Sequence, residues 1–400
     1  MTQRARWAKT QWAWPVRRGW VVLGAVPGPD VDEFAEADQV IAALARPGAA
    51  DATLLAVQHP HQTPAALAGE DSLADALPTA RRVLDRLRAQ AYREAHDLIA
   101  AYRATGVDGV ALGVLCMIDP AAVDASGIAR VRHSEQVYPD VVAERAAVLA
   151  GLGAATSAAM LLPVDGGPAL TALLADTIAE LGEPEVSTVD SAGRLHELWP
   201  IGPGRRQQAL LAAVQSRPLL VADGNHRVAA AAASRLSGLL ALVTGGPDLH
   251  VGAIHRVLHG TGRTRAELAA AWRHIGLEVI ESTSAVAARP GTIVVHTPTG
   301  DLTVELPAPG PDEPLPRIDH GVVETLLVEA ALGVDPEGPL LRPLPAGRAP
   351  APGYDAVLEI AAVPFADVLS VHEQGRRMPR KSTYFTPKPR SGLLLADLTA

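Results

Sequence analysis

The chain is poor in aromatic residues, and it contains a single cysteine, Cys116. One thiol excludes an internal disulfide and a cysteine-based zinc cluster, and the apolar run from Val110 to Ile118 around it indicates a core position. The N-terminus carries Arg4, Arg6 and Lys9 but lacks the continuous apolar segment of a signal peptide. No run approaches the ~18 uninterrupted apolar residues of a membrane span. We therefore expect a cytoplasmic protein that does not engage membranes.

Several catalytic motifs are also missing. The sequence has no P-loop, no H-E-x-x-H zinc motif and no G-x-S-x-G nucleophile turn. Gly151-Leu152-Gly153 is only an incomplete dinucleotide fingerprint, and it follows a predicted helix rather than a strand. A net charge of −9 argues against nucleic acid as a partner but leaves small anionic ligands open.

The length of 400 residues and a hydrophobic content of 48% predict more than one core-forming unit. Strand and helix patterns alternate, which predicts a mixed α/β (α+β) fold. We divide the chain into an N-terminal α/β region (1–165), a central region (166–310) and a C-terminal region with proline-rich linkers (311–400). The main predicted elements are a strand at Leu54 to Val57, two helices within Ser72 to Arg103, a strand at Val107 to Ile118, two strands around a turn at Gly245 to Asp248, and a hairpin at Gly291 to Leu306.

The most informative stretch begins at Leu219. An apolar run to Ala222 is followed by Asp223-Gly224-Asn225-His226-Arg227 and then by an alanine-rich run. This pattern predicts a strand, a tight turn and the start of a helix, whose unpaired backbone N–H groups and dipole favour an anion. Gly224 would let a ligand approach closely, and Asp223 can act as acid, base or metal ligand. The alternative is that Asp223 caps the helix and His226 and Arg227 are solvated.

Two further segments are rich in polar residues. The first, Arg130 to Arg145, follows a buried strand and can supply a base such as Glu135, although Glu144 and Arg145 equally fit the solvated face of a helix. The second, Met378 to Gly392, concentrates cations and hydroxyl groups in an otherwise acidic chain; its cations are Arg380, Lys381, Lys388 and Arg390. Such a cluster suits an anionic ligand, or it is an exposed basic tail.

These residues carry a family resemblance. The stretches Leu198-Trp199, Arg217-Pro218 and Ala222 to Arg227, with the tail Met378 to Phe385 and Pro387-Lys388-Pro389, resemble the family known as domain of unknown function 1015, from about Val107 to Leu394. The central motif of that family usually reads A-D-G-H-H-R followed by Tyr and Glu. Here Asn225 replaces the first His, and Val228 and Ala229 replace the last two residues.

The D-G-x-H-R turn is also similar to the phosphate-binding turn of the ParB/sulfiredoxin-like superfamily, which includes partition proteins, sulfiredoxins and free-serine kinases. This resemblance implies a ParB/sulfiredoxin-like core with additional α/β elements, ATP or ADP as cofactor, and Mg²⁺. The implied catalytic residues are Asp223, Glu135 and His226, with Asp223 also the metal ligand. The implied cofactor-binding residues are Gly224, Asn225, His226, Arg227, Arg380, Lys381, Ser382 and Thr383.

The leading hypothesis is a nucleotide-dependent phosphotransferase acting on a small hydroxyl-bearing metabolite, with free serine or a similar hydroxy amino acid as the best guess. Such a reaction needs cations for the phosphates and a carboxylate that accepts the hydroxyl proton. The main alternative is a nucleotide-binding switch or regulatory protein without turnover. A third possibility is a structural homologue that binds nothing.

Overall fold

The computed structural model describes residues 11–34, 37–234, 236–282 and 287–400. Arg4, Arg6 and Lys9, on which the expected location rests, lie outside these ranges. The chain forms two compact units, Met1–His250 with Phe385–Ala400, and Val251–Tyr384. These boundaries differ from the three segments predicted above, because strands of 166–250 and of the last residues belong to the same sheet as the N-terminal strands. We describe each unit by itself.

The strands, in chain order, are β1 Ala13–Trp14, β2 Val16–Val22, β3 Tyr92–Gly106, β4 Gly109–Ile118, β5 Val131–Arg132, β6 Ala154–Ala155, β7 Ala159–Pro163, β8 Val186–Val189, β9 Leu195–Ile201, β10 Leu219–Asp223, β11 Leu239–Asp248, β12 His250–Gly252, β13 Ile254–His259, β14 Glu278–Ser282, β15 Thr292–Thr297, β16 Gly300–Glu305, β17 Leu341–Pro345, β18 Tyr354–Glu359, β19 Tyr384–Thr386 and β20 Leu394–Asp397.

The α-helices are α1 Ala37–Leu44, α2 Ala49–Ala52, α3 Leu54–Gln58, α4 Pro64–Ala68, α5 Leu73–Ala91, α6 Pro139–Leu152, α7 Gly167–Leu181, α8 Arg205–Gln215, α9 Asn225–Ser234, α10 Arg265–His274, α11 Asp319–Val322 and α12 Phe365–Glu373. Single turns of 3-10 helix cover Val31–Glu33 and Pro60–Gln62, and α11 continues as a π-helix over Val323–Ala330. None of the described helices is long and apolar enough to cross a membrane.

The first unit is built on a mixed twelve-stranded sheet with the order β5-β10-β7-β11-β4-β3-β2-β20-β6, to which β1, β8 and β9 add. The strand β10 runs parallel to β5 and antiparallel to β7. On β10, Leu219 and Val221 are fully buried and pack with residues of the neighbouring helices, among them Leu174, Leu210 and Val228. Leu219 and Val221 face the same side of the sheet, because alternate residues of a strand do so. Their burial against the helices holds the end of β10 that leads into α9. The predicted mixed α/β fold is confirmed.

The second unit contains a six-stranded antiparallel sheet with the order β14-β16-β15-β18-β13-β17. Its core surrounds Trp272, whose indole N–H donates to the backbone oxygen of Leu327 at 2.9 Å. The predicted hairpin at Gly291 to Leu306 is confirmed as β15 and β16, which pair up to Thr297 and Gly300.

Three sequence predictions are wrong. Leu54 to Val57 belongs to the helix α3, capped by the Thr53 hydroxyl, which accepts from the amide of Ala56; all residues of α3 are buried, so the run shows no helical periodicity. In the segment Ser72 to Arg103, one helix is followed by the strand β3, because pairing with β2, β4 and β9 outweighs local helix propensity. No turn separates two strands at Gly245 to Asp248, since β11 continues along β4 through an irregular register to Asp248.

Cys116 is fully buried in β4, as predicted. Burial raises the pKa of its thiol to about 12. A thiol that stays protonated at neutral pH is a poor nucleophile, so Cys116 acts as a core residue.

Candidate functional site

The turn between β10 and α9 requires glycine at position 224. Gly224 has φ of +91°, in the left-handed region that side chains rarely adopt, and a Cβ there would lie 2.8 Å from Nε of Arg227. The register of β10 with β7 shifts between Val221 and Asp223, a bulge that redirects the chain just before the turn. The predicted strand, turn and helix are therefore confirmed, with the α9 N-terminus beginning at Asn225.

Asp223 is contacted by two cations. Its Oδ1 lies 2.7 Å from Nζ of Lys388, and its Oδ2 accepts from Nη2 of Arg227. Arg227 also donates from Nη1 to the backbone oxygen of Ala158 at 2.7 Å. These three charged side chains are 17–27% exposed. Two cations and a carboxylate thus meet beside the N-terminus of α9, which carries partial positive charge of its own.

Asn225 connects the turn to the segment that follows β5. Its Oδ1 accepts from the backbone N–H of Ser134 at 3.2 Å and lies 3.1 Å from Nδ1 of His133, while its Nδ2 donates to Oγ of Ser134 at 3.1 Å. The Ser134 hydroxyl in turn donates to the backbone oxygen of Val221 at 2.6 Å. Both Asn225 and Ser134 are buried. The Asn225 side chain thus fastens residues 133–134 to both sides of the β10–α9 turn.

His226 makes a second connection to the same segment. Its Nε2 accepts from the backbone N–H of Tyr138 at 3.0 Å, and the two rings stack with centroids 5.8 Å apart. A ring nitrogen that accepts a hydrogen bond carries no proton, so this geometry assigns the proton of a neutral His226 to Nδ1. The contact also positions the start of α6, which begins one residue later at Pro139.

Glu135 lies between these two attachments. Ser134 is held by Asn225, and Tyr138 is held by His226, so the short segment that carries Glu135 is fastened at both ends to the first two residues of α9. Glu135 itself is buried. The structure therefore places three predicted catalytic residues, Asp223, Glu135 and His226, in one unit around one helix N-terminus, although their chemical roles stay predictions.

The predicted binding residues of the tail motif lie in the second unit. Arg380 pairs with Glu337, and the backbone oxygens of Arg380 and Lys381 accept from the buried guanidinium of Arg256 at 2.9 and 3.1 Å. Lys381 adopts φ of +53°, which is uncommon for a residue with a side chain. The Oγ of Ser382 donates to the backbone oxygen of Pro379 at 2.7 Å, and Ser382 and Thr383 are buried. Their predicted contact with a cofactor stays a prediction.

Lys388 is the residue that sequence reasoning did not single out. It was listed among the tail cations and within the Pro387-Lys388-Pro389 motif, but it was not predicted as a site residue. The available signal is its position between Pro387 and Pro389, since two prolines restrict the backbone on either side of one cation. The structure shows that this cation reaches the motif of the β10–α9 turn.

Metal binding at Asp223 would involve few protein ligands. Among the described residues, no group of three or more histidine, cysteine, aspartate or glutamate side chains is arranged to hold a metal ion. Magnesium bound together with nucleotide phosphates commonly uses only one or two protein carboxylates. That Asp223 binds Mg²⁺ stays a prediction.

The fold and the site define a mixed α/β protein with a strand–turn–helix junction at which two cations meet one carboxylate. A family model described as "Protein of unknown function (DUF1015)" matches residues 48–304. That match covers more than half of the chain, and the chain belongs to this family. The predicted family is thus confirmed; the match includes the central motif, begins before the predicted Val107 and ends before the terminal motif. Among curated proteins, nothing matches.

Solved structures that resemble the chain share little sequence with it. A variant of a free serine kinase in complex with ADP is 15% identical, with 72% of this chain and 94% of that chain covered and a TM-score of 0.39. A free serine kinase in complex with AMP is 14% identical, with coverages of 66% and 89% and a TM-score of 0.38. SbnI with a C-terminal truncation from Staphylococcus aureus is 11% identical, with coverages of 69% and 84% and a TM-score of 0.40.

Proposed function

We propose that the first unit binds the phosphate groups of a nucleotide at the β10–α9 turn. The observation that carries this proposal is the meeting of Arg227 and Lys388 on Asp223, directly beside the N-terminus of α9. Arginine and lysine side chains at one position can both bind the oxygens of a phosphate group, and the first turn of α9 offers backbone N–H donors. Gly224 is needed for the position of Arg227, since a Cβ there would collide with the Arg227 side chain.

The D-G-x-H-R motif supports a nucleotide rather than an isolated phosphate, because the similar turn of the ParB/sulfiredoxin-like superfamily binds nucleotide phosphates. We propose ATP or ADP as the ligand, with Mg²⁺ associated with Asp223. Bound nucleotide would supply the phosphoryl group. In that complex Arg227 and Lys388 would bind phosphate oxygens and stabilise the charge that shifts between them during transfer.

The proposed reaction is phosphoryl transfer to a small hydroxyl compound, with free serine or a similar hydroxy amino acid as the first candidate. Glu135 would accept the proton of the attacking hydroxyl group, since it is the buried carboxylate on the segment fastened to α9. His226 would act by holding that segment, because its Nε2 already accepts from the backbone of Tyr138.

A nucleotide-binding switch without turnover is the second candidate. Asn225 and His226, two of the five residues of the turn motif, use side-chain atoms in contacts with Ser134 and Tyr138. These contacts couple the turn to the start of α6 and leave fewer polar groups for chemistry. A ligand that changed the turn would then also shift the segment carrying Glu135.

Calorimetric titration of the purified chain with ATP, ADP and CTP, with and without Mg²⁺, tests the proposal. We expect binding of at least one nucleotide and a clear loss of affinity in Arg227→Ala. Arg206→Ala is the matched control, because Arg206 forms an exposed ion pair with Glu180 elsewhere in the unit. No heat with any of the three nucleotides would contradict both candidates. Binding without phosphate transfer to any of a panel of hydroxy amino acids would favour the switch.

A further inference from the structure

We propose that Tyr102 and Asp30, acting through Arg390, are positioning residues that hold Lys388 at Asp223. The expected effect on nucleotide binding rests on the proposed function, since Lys388 is a proposed phosphate ligand. The inference concerns a buried hydrogen-bond network around Arg390, directly after the Pro387-Lys388-Pro389 segment. The proposed chemistry does not otherwise use this network.

Arg390 is fixed at several points. Its backbone N–H donates to the Tyr102 hydroxyl at 3.2 Å, and its guanidinium lies 3.0 Å from Oδ2 of Asp30 and donates to the backbone oxygen of Gly28 at 2.7 Å. The next residue contributes as well, because the N–H of Ser391 donates to the same Asp30 oxygen at 2.7 Å. The Arg390 and Asp30 side chains are more than nine-tenths buried. The peptide that follows Pro389 therefore has a defined position.

The Tyr102 hydroxyl is itself oriented by a chain of hydrogen bonds. It accepts from Arg390 and so directs its proton to Nδ1 of His196 at 2.7 Å, while Nε2 of His196 faces Oδ2 of Asp190 at 3.2 Å. Burial raises the pKa of Tyr102 and lowers that of His196, and both effects favour the neutral forms that this direction requires. Loss of the Tyr102 oxygen would remove the acceptor for Arg390 and the donor for His196 together.

Lys388 is only two residues away from this anchor. Pro387 and Pro389 flank it, and each proline fixes its own φ and restricts the residue before it. A short, stiff segment transmits the position of Arg390 to Lys388 better than a flexible one would. A lysine side chain otherwise loses considerable rotamer entropy when its ammonium group is held at one point. Anchoring the backbone reduces the number of conformations available to Lys388 before it contacts Asp223, and so lowers this entropy cost.

The first test needs no ligand and measures how fast an amine-acylating reagent labels Lys388. The lysines of the chain are Lys9, Lys381 and Lys388, so exposed Lys381 serves as an internal reference in the same peptide digest. We expect Tyr102→Phe to increase the labelling of Lys388 relative to Lys381 by roughly two- to tenfold, because the hydrogen bond that anchors the Arg390 backbone is lost. An unchanged ratio would overturn the positioning role.

Tyr92→Phe is the matched control. Tyr92 begins the same strand, β3, and its hydroxyl is also buried, but it has no hydrogen-bond partner. Its removal should leave the labelling of Lys388 unchanged. If Tyr102→Phe does not fold, Asp30→Asn replaces it, because the amide keeps the size of the carboxylate while removing its charge from Arg390.

The second test uses ADP affinity in a double-mutant cycle with Lys388→Met. If Tyr102 acts through Lys388, Tyr102→Phe weakens ADP binding by roughly two- to tenfold in the wild-type background and has no further effect when Lys388 is absent. An equal loss in both backgrounds would mean that Tyr102 is merely structural. If ATP binds and ADP does not, the cycle is measured with ATP. If none of ATP, ADP and CTP binds to the wild-type chain, the proposed function fails, and the labelling ratio still decides the positioning role.

Discussion

Replacing Asp223 by asparagine separates two roles of this residue. The carboxylate accepts from Arg227 and Lys388 and, in the proposed complex, also associates with Mg²⁺. Without metal, its negative charge opposes a phosphate bound to the same two cations. We therefore expect Asp223→Asn to raise the affinity for ADP in the absence of Mg²⁺. The same substitution should abolish the increase in ADP affinity that Mg²⁺ produces in the wild-type chain.

The size of this effect follows from the geometry. Oδ1 of Asp223 lies 2.7 Å from Nζ of Lys388, and a phosphate oxygen on the far side of the same ammonium would lie about 5.5 Å from the carboxylate. Two unit charges at about 5.5 Å repel by roughly 3 kcal/mol at an effective dielectric constant of about 20 and by less than about 1 kcal/mol in bulk water. Because the three side chains are partly exposed, we expect an increase in metal-free affinity of roughly three- to one-hundredfold.

Isothermal titration calorimetry with ADP in EDTA, followed by the same titration with Mg²⁺, measures both effects. Asp165→Asn is a suitable control, since Asp165 is also paired with an arginine, Arg217, but at an exposed site. Weaker metal-free binding in Asp223→Asn would refute the reasoning, because the carboxylate would then contribute only by holding the cations in place.

Three further predictions concern the rest of the first unit. Glu135→Gln should leave ADP affinity within about threefold and reduce phosphate transfer by at least a hundredfold in a coupled assay if it is the base; an equal loss of both would point to a structural role. Asn225→Ala should lower the free energy of unfolding in urea by roughly 1–3 kcal/mol, because the buried backbone N–H of Ser134 loses its acceptor; unchanged stability would contradict this. Burial, and then the charge of Arg145, lower the pKa of His59 to about 4, so the unfolded chain takes up a proton there first as pH falls. The free energy of unfolding should therefore fall by about 3 kcal/mol through His59 as the pH is lowered from about 6.5 to about 4. In His59→Phe, urea unfolding over the same pH range should show a decrease that is smaller by this amount.

The strand, turn and helix of the central motif could be predicted from the sequence because each part has a strong local signal. The apolar run of β10, the glycine required at position 224 and the alanine-rich helix all agree. The hairpin of β15 and β16 was predictable for the same reason. In these elements, the secondary structure that the local sequence favours is the same as the one that the tertiary structure requires.

The elements that were predicted wrongly depend on distant partners. The α3 segment is buried on all sides, so its apolar run resembles a strand, and β3 has a helical composition but pairs with three other strands. The contact of Lys388 with Asp223 joins residues far apart in the chain. The flanking prolines set Lys388 apart locally, but no local pattern shows that it contacts Asp223 whereas Arg390 pairs with Asp30.

The central claim is that the β10–α9 turn binds nucleotide phosphate with Arg227 and Lys388. A crystal structure of the chain soaked with ADP and Mg²⁺ tests it most directly. The account predicts phosphate oxygens within hydrogen-bond distance of both cations and of the first backbone N–H groups of α9. A nucleotide bound elsewhere, with no phosphate oxygen in contact with Arg227 or Lys388, would contradict it.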